Sequence, residues 1–206
     1  MMSDKFSTVE QQASYGVGRQ MGEQLAANSF EGVDIAAVQA GLADAFAGVE
    51  SAVSMQDMQV AFTEISRRIQ AAQEQAAAAA SAEGEAFLVE NAKRAGVIVT
   101  DSGLQYEVLV QGSGAKPTYE DTVRTHYHGS FINGDVFDSS VVRGQPAEFP
   151  VSGVIAGWTE ALQLMPVGTK LKLFVPHHLA YGERGAGASI PPYSTLVFEV
   201  ELLDIV

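Results

Sequence analysis

The sequence contains no cysteine. Disulfide frameworks, thiol nucleophiles and cysteine-ligated metals are thereby excluded. No stretch approaches the roughly 20 apolar residues of a membrane span, and no apolar run of signal-peptide length follows the first residues. A soluble, cytoplasmic protein that does not enter a membrane is the expectation. Positive charge is scarce: 12 Lys and Arg stand against 25 Asp and Glu, a net charge of −13. Such a chain repels phosphate backbones, so nucleic acid is not an expected partner. The excess acid is spread over both halves, so no basic domain hides inside the average.

Proline is missing from the first 116 residues; all seven prolines lie at or after Pro117. The proline-free part is rich in Ala, Gln and Glu and carries three helical patterns. Phe6, Val9, Ala13, Val17 and Met21 recur at three- and four-residue steps. Ile35, Val38, Leu42, Ala45 and Phe46 do so after Asp34, a plausible N-cap. The third pattern starts after Ser54, with Asp57 at the capping-box spacing, and carries Met58, Phe62, Ile65 and Ile69. It runs through an Ala-rich stretch to about Arg94 and reads as an exposed, semi-rigid spacer, the alternative being a flexible linker broken near Gly84. The two shorter helices make a poor core alone, and Gly16, Gly18 and Gly22 crowd one of them. Close backbone approach by a second copy suits such glycines. The expectation is a homodimer through residues 1–52, a connecting helix over 53–95 and a separate domain over 96–206.

That last part changes period. Leu104, Tyr106, Val108 and Val110 alternate, as do Val123, Thr125 and Tyr127, then Leu171, Leu173 and Val175, and finally Leu196, Phe198, Val200 and Leu202. Asn133-Gly134 between apolar pairs is a strong hairpin signal. Residues 157–165 read as one short helix stopped by Pro166 and Gly168. The inventory is five or six antiparallel strands with one helix on one face, an α+β domain.

A search for reactive constellations returns little. No phosphate-cradling loop and no nucleophile elbow occurs. His126 and His128 share a strand face without an obvious third metal ligand, and His177-His178 reads as a solvated pair. What stands out is aromatic and apolar residues beside turns: Tyr127, Phe137, Phe149, Trp158, Tyr181, Ile190 and Phe198. Core packing alone accounts for most such residues. Trp158 is the only tryptophan.

Six segments nevertheless occur in a telling order over about 100 residues. They are Val123–Gly129, Asn133–Ser140, Val154–Trp158, Leu164–Gly168, Ala180–Gly182 and Ile190–Leu202. In that order they resemble the FK506-binding-protein (FKBP) family of peptidyl-prolyl cis–trans isomerases. The N-terminal part is similar to the dimerisation segment of the bacterial Mip-like branch, and the length resembles that branch's cytoplasmic 22-kDa members.

The resemblance implies an antiparallel half-barrel of five or six strands wrapped on one short helix, preceded by an all-α dimerisation segment and a long connecting helix. It implies rotation of Xaa-Pro bonds in unfolded or partly folded clients, with no metal and no cofactor. Tyr127, Phe137, Asp138, Trp158, Tyr181 and Phe198 would be the catalytic set. Arg143, Phe149, Val154, Ile155 and Ile190 would bind substrate. Trp158 would form the pocket floor, Ile155 N–H and the Tyr181 hydroxyl would hold ligand carbonyls, and Asp138 would be a buried acceptor near the reacting peptide. FK506- or rapamycin-type macrolides would compete for the pocket. Ala147, Ala186 and Ser189 stand where the family often has larger side chains. The alternative reading is a non-catalytic chaperone or scaffold that captures proline-containing or apolar segments.

Overall fold

The computed structural model describes residues 6–206 and divides the chain within one long helix, into a unit ending at Ala72 and a unit from Gln73 to Val206. In the first unit, α1 (Val9–Ala27) begins with a capping box in which Thr8 accepts from Gln11 N–H and Gln11 answers to the Thr8 N–H. Helix α2 (Ile35–Ala47) is capped as its sequence predicts: Asp34 accepts from the amides of Ala36 and Ala37. Gly48 ends it in the left-handed conformation. The long helix α3 (Met55–Asn91) opens on Ser54, whose hydroxyl accepts from Asp57 N–H and donates to the Asp57 carboxylate. No residue of α1 or α2 is buried.

The second unit is built on one antiparallel sheet. Its strands are β1 (Val97–Val99), β2 (Gln105–Val110), β3 (Thr122–Phe131), β4 (Val136–Ser139), β5 (Ala147–Pro150), β6 (Lys170–Val175) and β7 (Leu196–Ile205). They lie in the order β1-β2-β6-β7-β3-β4, with β5 paired to the first half of β3. The count is therefore seven, where alternation alone gave five or six. The short β1 and β5 were not resolved because three or four residues carry no measurable period. Asn133-Gly134 turns the β3–β4 hairpin as expected, with Gly134 at φ 93°. A second short helix, α4 (Ser140–Arg143), follows β4 and was not foreseen; Ser139 caps it and Gly144 closes it.

Alternation decides which face is buried. Val123, Thr125 and Tyr127 on β3, Leu171, Leu173 and Val175 on β6, and Phe198, Val200 and Leu202 on β7 point inward. They meet helix α5 (Ala156–Leu164), which contributes Trp158, Ala161 and Leu162. Gly157 lets α5 approach: a Cβ there would stand 2.6 Å from Val175 Cγ1.

The Ala-rich stretch of α3 is exposed or partly exposed, while the last turns of the helix are docked. From Gln73 onward the helix belongs to the second unit, and its end packs on that unit's sheet. Phe87 meets Phe174 with ring centroids 5.9 Å apart, Asn91 donates to Gln105 Oε1 at 2.9 Å, and Gln105 Nε2 donates to the Leu88 carbonyl. Gly84 is buried and the helix is unbroken there. A Cβ on Gly84 would overlap the Thr195 side chain, itself buried. This glycine is a contact point rather than a hinge. Gly84→Leu is expected to destabilise the second unit by about 1–3 kcal/mol through overpacking. Thermal unfolding checks it; an unchanged melting temperature would show that α3 does not dock at Gly84.

Candidate active site

Trp158 sits at the middle of an aromatic nest. Tyr127, Phe149 and Phe198 meet its ring edge-on, at centroid distances of 5.4, 5.9 and 5.3 Å and interplanar angles of 79°, 89° and 83°. Edge-to-face geometry places the positive ring edges against negative faces and adds to the area buried. Phe137 closes the nest against Phe198 at 5.6 Å, and Tyr127 meets Phe149 at 5.9 Å. Gly129 of β3 makes room for this: a Cβ there would stand 2.7 Å from the Phe137 ring and 2.8 Å from that of Phe198. Ile190 is buried in the same cluster, and Val154, Ile155, Ala147 and Ala186 pack against it.

Polar groups ring this apolar floor. Tyr127 donates its hydroxyl to Asp138 Oδ2, and Arg143 pairs with Asp138 Oδ1. Arg143 also donates to the Tyr127 oxygen at 2.8 Å and lies 5.6 Å from the Tyr127 ring centroid. The single turn α4 brings Arg143 back over Tyr127. That turn is anchored where Ser140 Oγ accepts from Tyr127 N–H at 2.8 Å. Burial works to raise the Asp138 pKa, but hydrogen bonds from Tyr127 and Arg143, the Arg143 charge and the Ser139 amide outweigh it, and the carboxyl is held below its ordinary range. Burial and the Asp138 carboxylate push the Tyr127 phenol up. At neutral pH the trio is therefore carboxylate, phenol and guanidinium.

The structure brings together ten of the eleven residues expected at the site. Two placements differ in kind. Asp138 is not a buried acceptor: its side chain is 41% exposed and both oxygens are engaged by protein donors. It lies at the edge of the cluster, where the short β4 hands the chain directly to α4. Tyr181 is not part of the buried cluster: it is 40% exposed at the start of a 3-10 turn, with its hydroxyl hydrogen-bonded to no described residue. Ser140, which positions Tyr127, was missed; the Ser139-Ser140 pair ahead of Gly144 was the available signal. His126 and His128 do share a face, but each turns Nδ1 toward a serine, Ser140 at 3.1 Å and Ser139 at 2.9 Å. No group of three or more metal-ligating side chains is assembled among the described residues.

Three hydrogen-bond donors on residues expected at the site have no partner among the described residues. Trp158 Nε1 is buried and unpaired, and the Ile155 N–H and Tyr181 hydroxyl donate to nothing. Buried donors are normally satisfied, so a floor with an unpaired donor suits a ligand carrying acceptors. An apolar aromatic cluster with a few unpaired donors has the chemistry of a binding site for a small ring attached to carbonyl groups.

The comparisons specify that class. Residues 113–203 match the model of the FKBP-type peptidyl-prolyl cis-trans isomerase family, and residues 10–108 match the domain found amino-terminal to it. The FKBP-type 22 kDa peptidyl-prolyl cis-trans isomerase of Escherichia coli strain K12 is 57% identical, over the whole of both chains. The outer membrane protein MIP of Legionella longbeachae is 38% identical over 97% of this chain and 87% of its own. The crystal structure of FkpA from Escherichia coli is similar with a TM-score of 0.76 and 38% identity, covering 97% of this chain and 98% of the other. The chain belongs to the FKBP-type peptidyl-prolyl cis–trans isomerases. It is an enzyme of that class.

Proposed function

We propose that the nest around Trp158 binds the prolyl ring of a protein client and catalyses rotation about the preceding peptide bond. The observation that carries this is the pairing of an edge-on aromatic floor with the unpaired donors Ile155 N–H and Tyr181 hydroxyl. The barrier to rotation is about 18–20 kcal/mol and comes from amide resonance. A twisted amide has lost that resonance and is less dipolar than the planar form. Apolar surroundings therefore favour it relative to water, and each 1.36 kcal/mol of preference is tenfold in rate. In this reading Trp158, Tyr127, Phe137, Phe149 and Phe198 shape the pocket, with Val154 and Ile190 as walls. Ile155 and Tyr181 hold substrate carbonyls. Asp138 and Arg143 fix Tyr127 at the mouth.

The first unit supports a wider role. α1 and α2 bury nothing, and Val9, Val17, Ile35 and Phe46 are 77%, 59%, 54% and 94% exposed. Between these helices lies a concavity of about 1120 Å³ lined by Tyr15, Met21, Leu25, Ile35, Val38 and Leu42. Patches of this kind mark interaction surfaces. We read this one as the dimer interface, which makes the enzyme a homodimer with two pockets. Two pockets raise the effective affinity for one unfolded chain, and so favour a folding-assistant and chaperone role. For compartment the reading is the cytoplasm, by likeness to the 22-kDa members, with cell fractionation as its check. No helix among the described residues is long and apolar enough to cross a membrane.

Cis-to-trans isomerisation of a Leu-Pro or Phe-Pro tetrapeptide at low temperature tests the proposal, with FK506 as competitor. Turnover blocked by the macrolide is expected. Turnover that the macrolide leaves untouched would keep the catalytic reading and trace the lost affinity to a rim changed by the small Ala147, Ala186 and Ser189 side chains. Absence of turnover from a folded protein would favour the capturing, non-catalytic reading.

A further inference from the structure

Tyr193 is the one non-glycine with a positive φ, 58°, among the described residues. A bulky side chain in the left-handed region is strained, and such strain persists only where the surroundings over-determine it. Here they do. The Tyr193 N–H donates to the Gly182 carbonyl at 2.9 Å, closing the segment between them into a loop. Its ring meets that of His177 at 5.1 Å and 63°. His177 in turn meets His178 at 5.8 Å, and His178 Nε2 lies 3.1 Å from the Ser102 carbonyl oxygen. Ser102 donates to the Glu160 carboxylate at 2.6 Å. Glu160 is two residues from Trp158 on α5, so the contacts run from Tyr193 to the helix that carries the pocket floor.

The loop so closed contains one group assigned to the substrate and directly follows another. Tyr181 precedes Gly182 at one end. Ile190 lies near the other, buried in the core cluster. Ala186 and Ile190 exchange two backbone hydrogen bonds, at 2.8 and 3.1 Å, which stiffen the middle. Pro191 and Pro192 link Ile190 to Tyr193, and their fixed φ angles pass the conformation at Tyr193 back to Ile190. The closing bond thus lies directly beside Tyr181 and just beyond Ile190.

We propose that Tyr193 is a positioning residue for isomerisation: its ring, docked on His177, holds the loop from Tyr181 to Ile190 at the pocket. The proposal rests on the reading of the Trp158 nest as the prolyl site. Closing the loop for stability alone is the competing account, and two variants separate them. Tyr193→Gly keeps the N–H and accepts the positive φ without strain, but loses the ring. Tyr193→Phe keeps the ring. In the tetrapeptide assay the glycine variant is expected to lose about tenfold in kcat/KM, in keeping with the cost of misplaced groups, while its melting temperature stays near that of the wild type. Its Ala186 and Ile190 amides are expected to exchange faster with solvent while the β3 and β7 amides do not. The phenylalanine variant is expected to match the wild type in both. A folded glycine variant with full kcat/KM, or a phenylalanine variant as slow as the glycine one, would overturn the proposal. An inactive wild type would instead overturn the reading of the pocket.

Discussion

Asp138→Ala is expected to lower kcat/KM on a proline tetrapeptide by about tenfold to a hundredfold, the equivalent of roughly 1.4–2.7 kcal/mol of transition-state stabilisation. The carboxylate takes the Tyr127 hydroxyl and the Arg143 guanidinium at once. Without it the phenol loses its acceptor and Arg143 its tether, and both lie beside the ring that packs on Trp158. Stability should change little, because Asp138 and Arg143 are both about half exposed and such pairs are well screened. A circular-dichroism melt run beside the kinetic assay separates the two effects. A variant with full activity and an intact fold would remove Asp138 from the mechanism.

The same trio sets the pH dependence. The Asp138 carboxyl titrates below its ordinary range, so its contribution is present above the unfolded-state carboxylate value of about 3.9 and is lost only as pH falls through the lower folded value. The Tyr127 phenol is raised above its ordinary value of about 10 and stays neutral through the alkaline range. Turnover is therefore expected to be flat from about pH 5 to pH 9. A step near pH 6–7 would point to a histidine instead.

Removal of residues 1–72 is expected to give the second large effect. The part from Gln73 onward keeps its sheet, its core and the docked end of α3, so it should fold and turn over tetrapeptides at close to the full-length rate. Its solution mass should fall from dimer to monomer. Refolding of a large proline-limited client should slow toward the uncatalysed rate, because slow prolyl steps take tens of seconds and a single weak pocket seldom holds the chain. Sedimentation and a refolding assay read the two outcomes. A truncated protein that is still a dimer would sink the assignment of the interface to α1 and α2.

Much of the architecture was legible in the sequence because it follows from local rules. Asp34 and Ser54 cap the helices they precede, Asn133-Gly134 makes its hairpin, and the alternation along β3, β6 and β7 names the buried face. Tyr127, Phe137, Trp158 and Phe198 of the aromatic cluster could be named because they lie on those inward positions or in the ordered segments shared with the FKBP family. Phe174 shows the limit. The alternation of Leu171, Leu173 and Val175 turns it outward, yet it is 2% exposed, because Phe87 and the end of α3 cover that face.

What the sequence by itself determined, then, is the set of elements, the face each strand buries and the family of the fold. The tertiary structure alone decided that Gly84 marks a contact rather than a break, that α4 turns Arg143 onto Tyr127, that Asp138 lies at the edge of the cluster, and that Tyr193 is held at a positive φ against His177. The division has a physical cause. Caps, turns and periodicity are interactions between residues a few positions apart, and they leave a spacing that can be read. Gly84 and Thr195, or Ser102 and Glu160, meet only once the sheet has closed, and nothing in the residues between them records which pairs will touch.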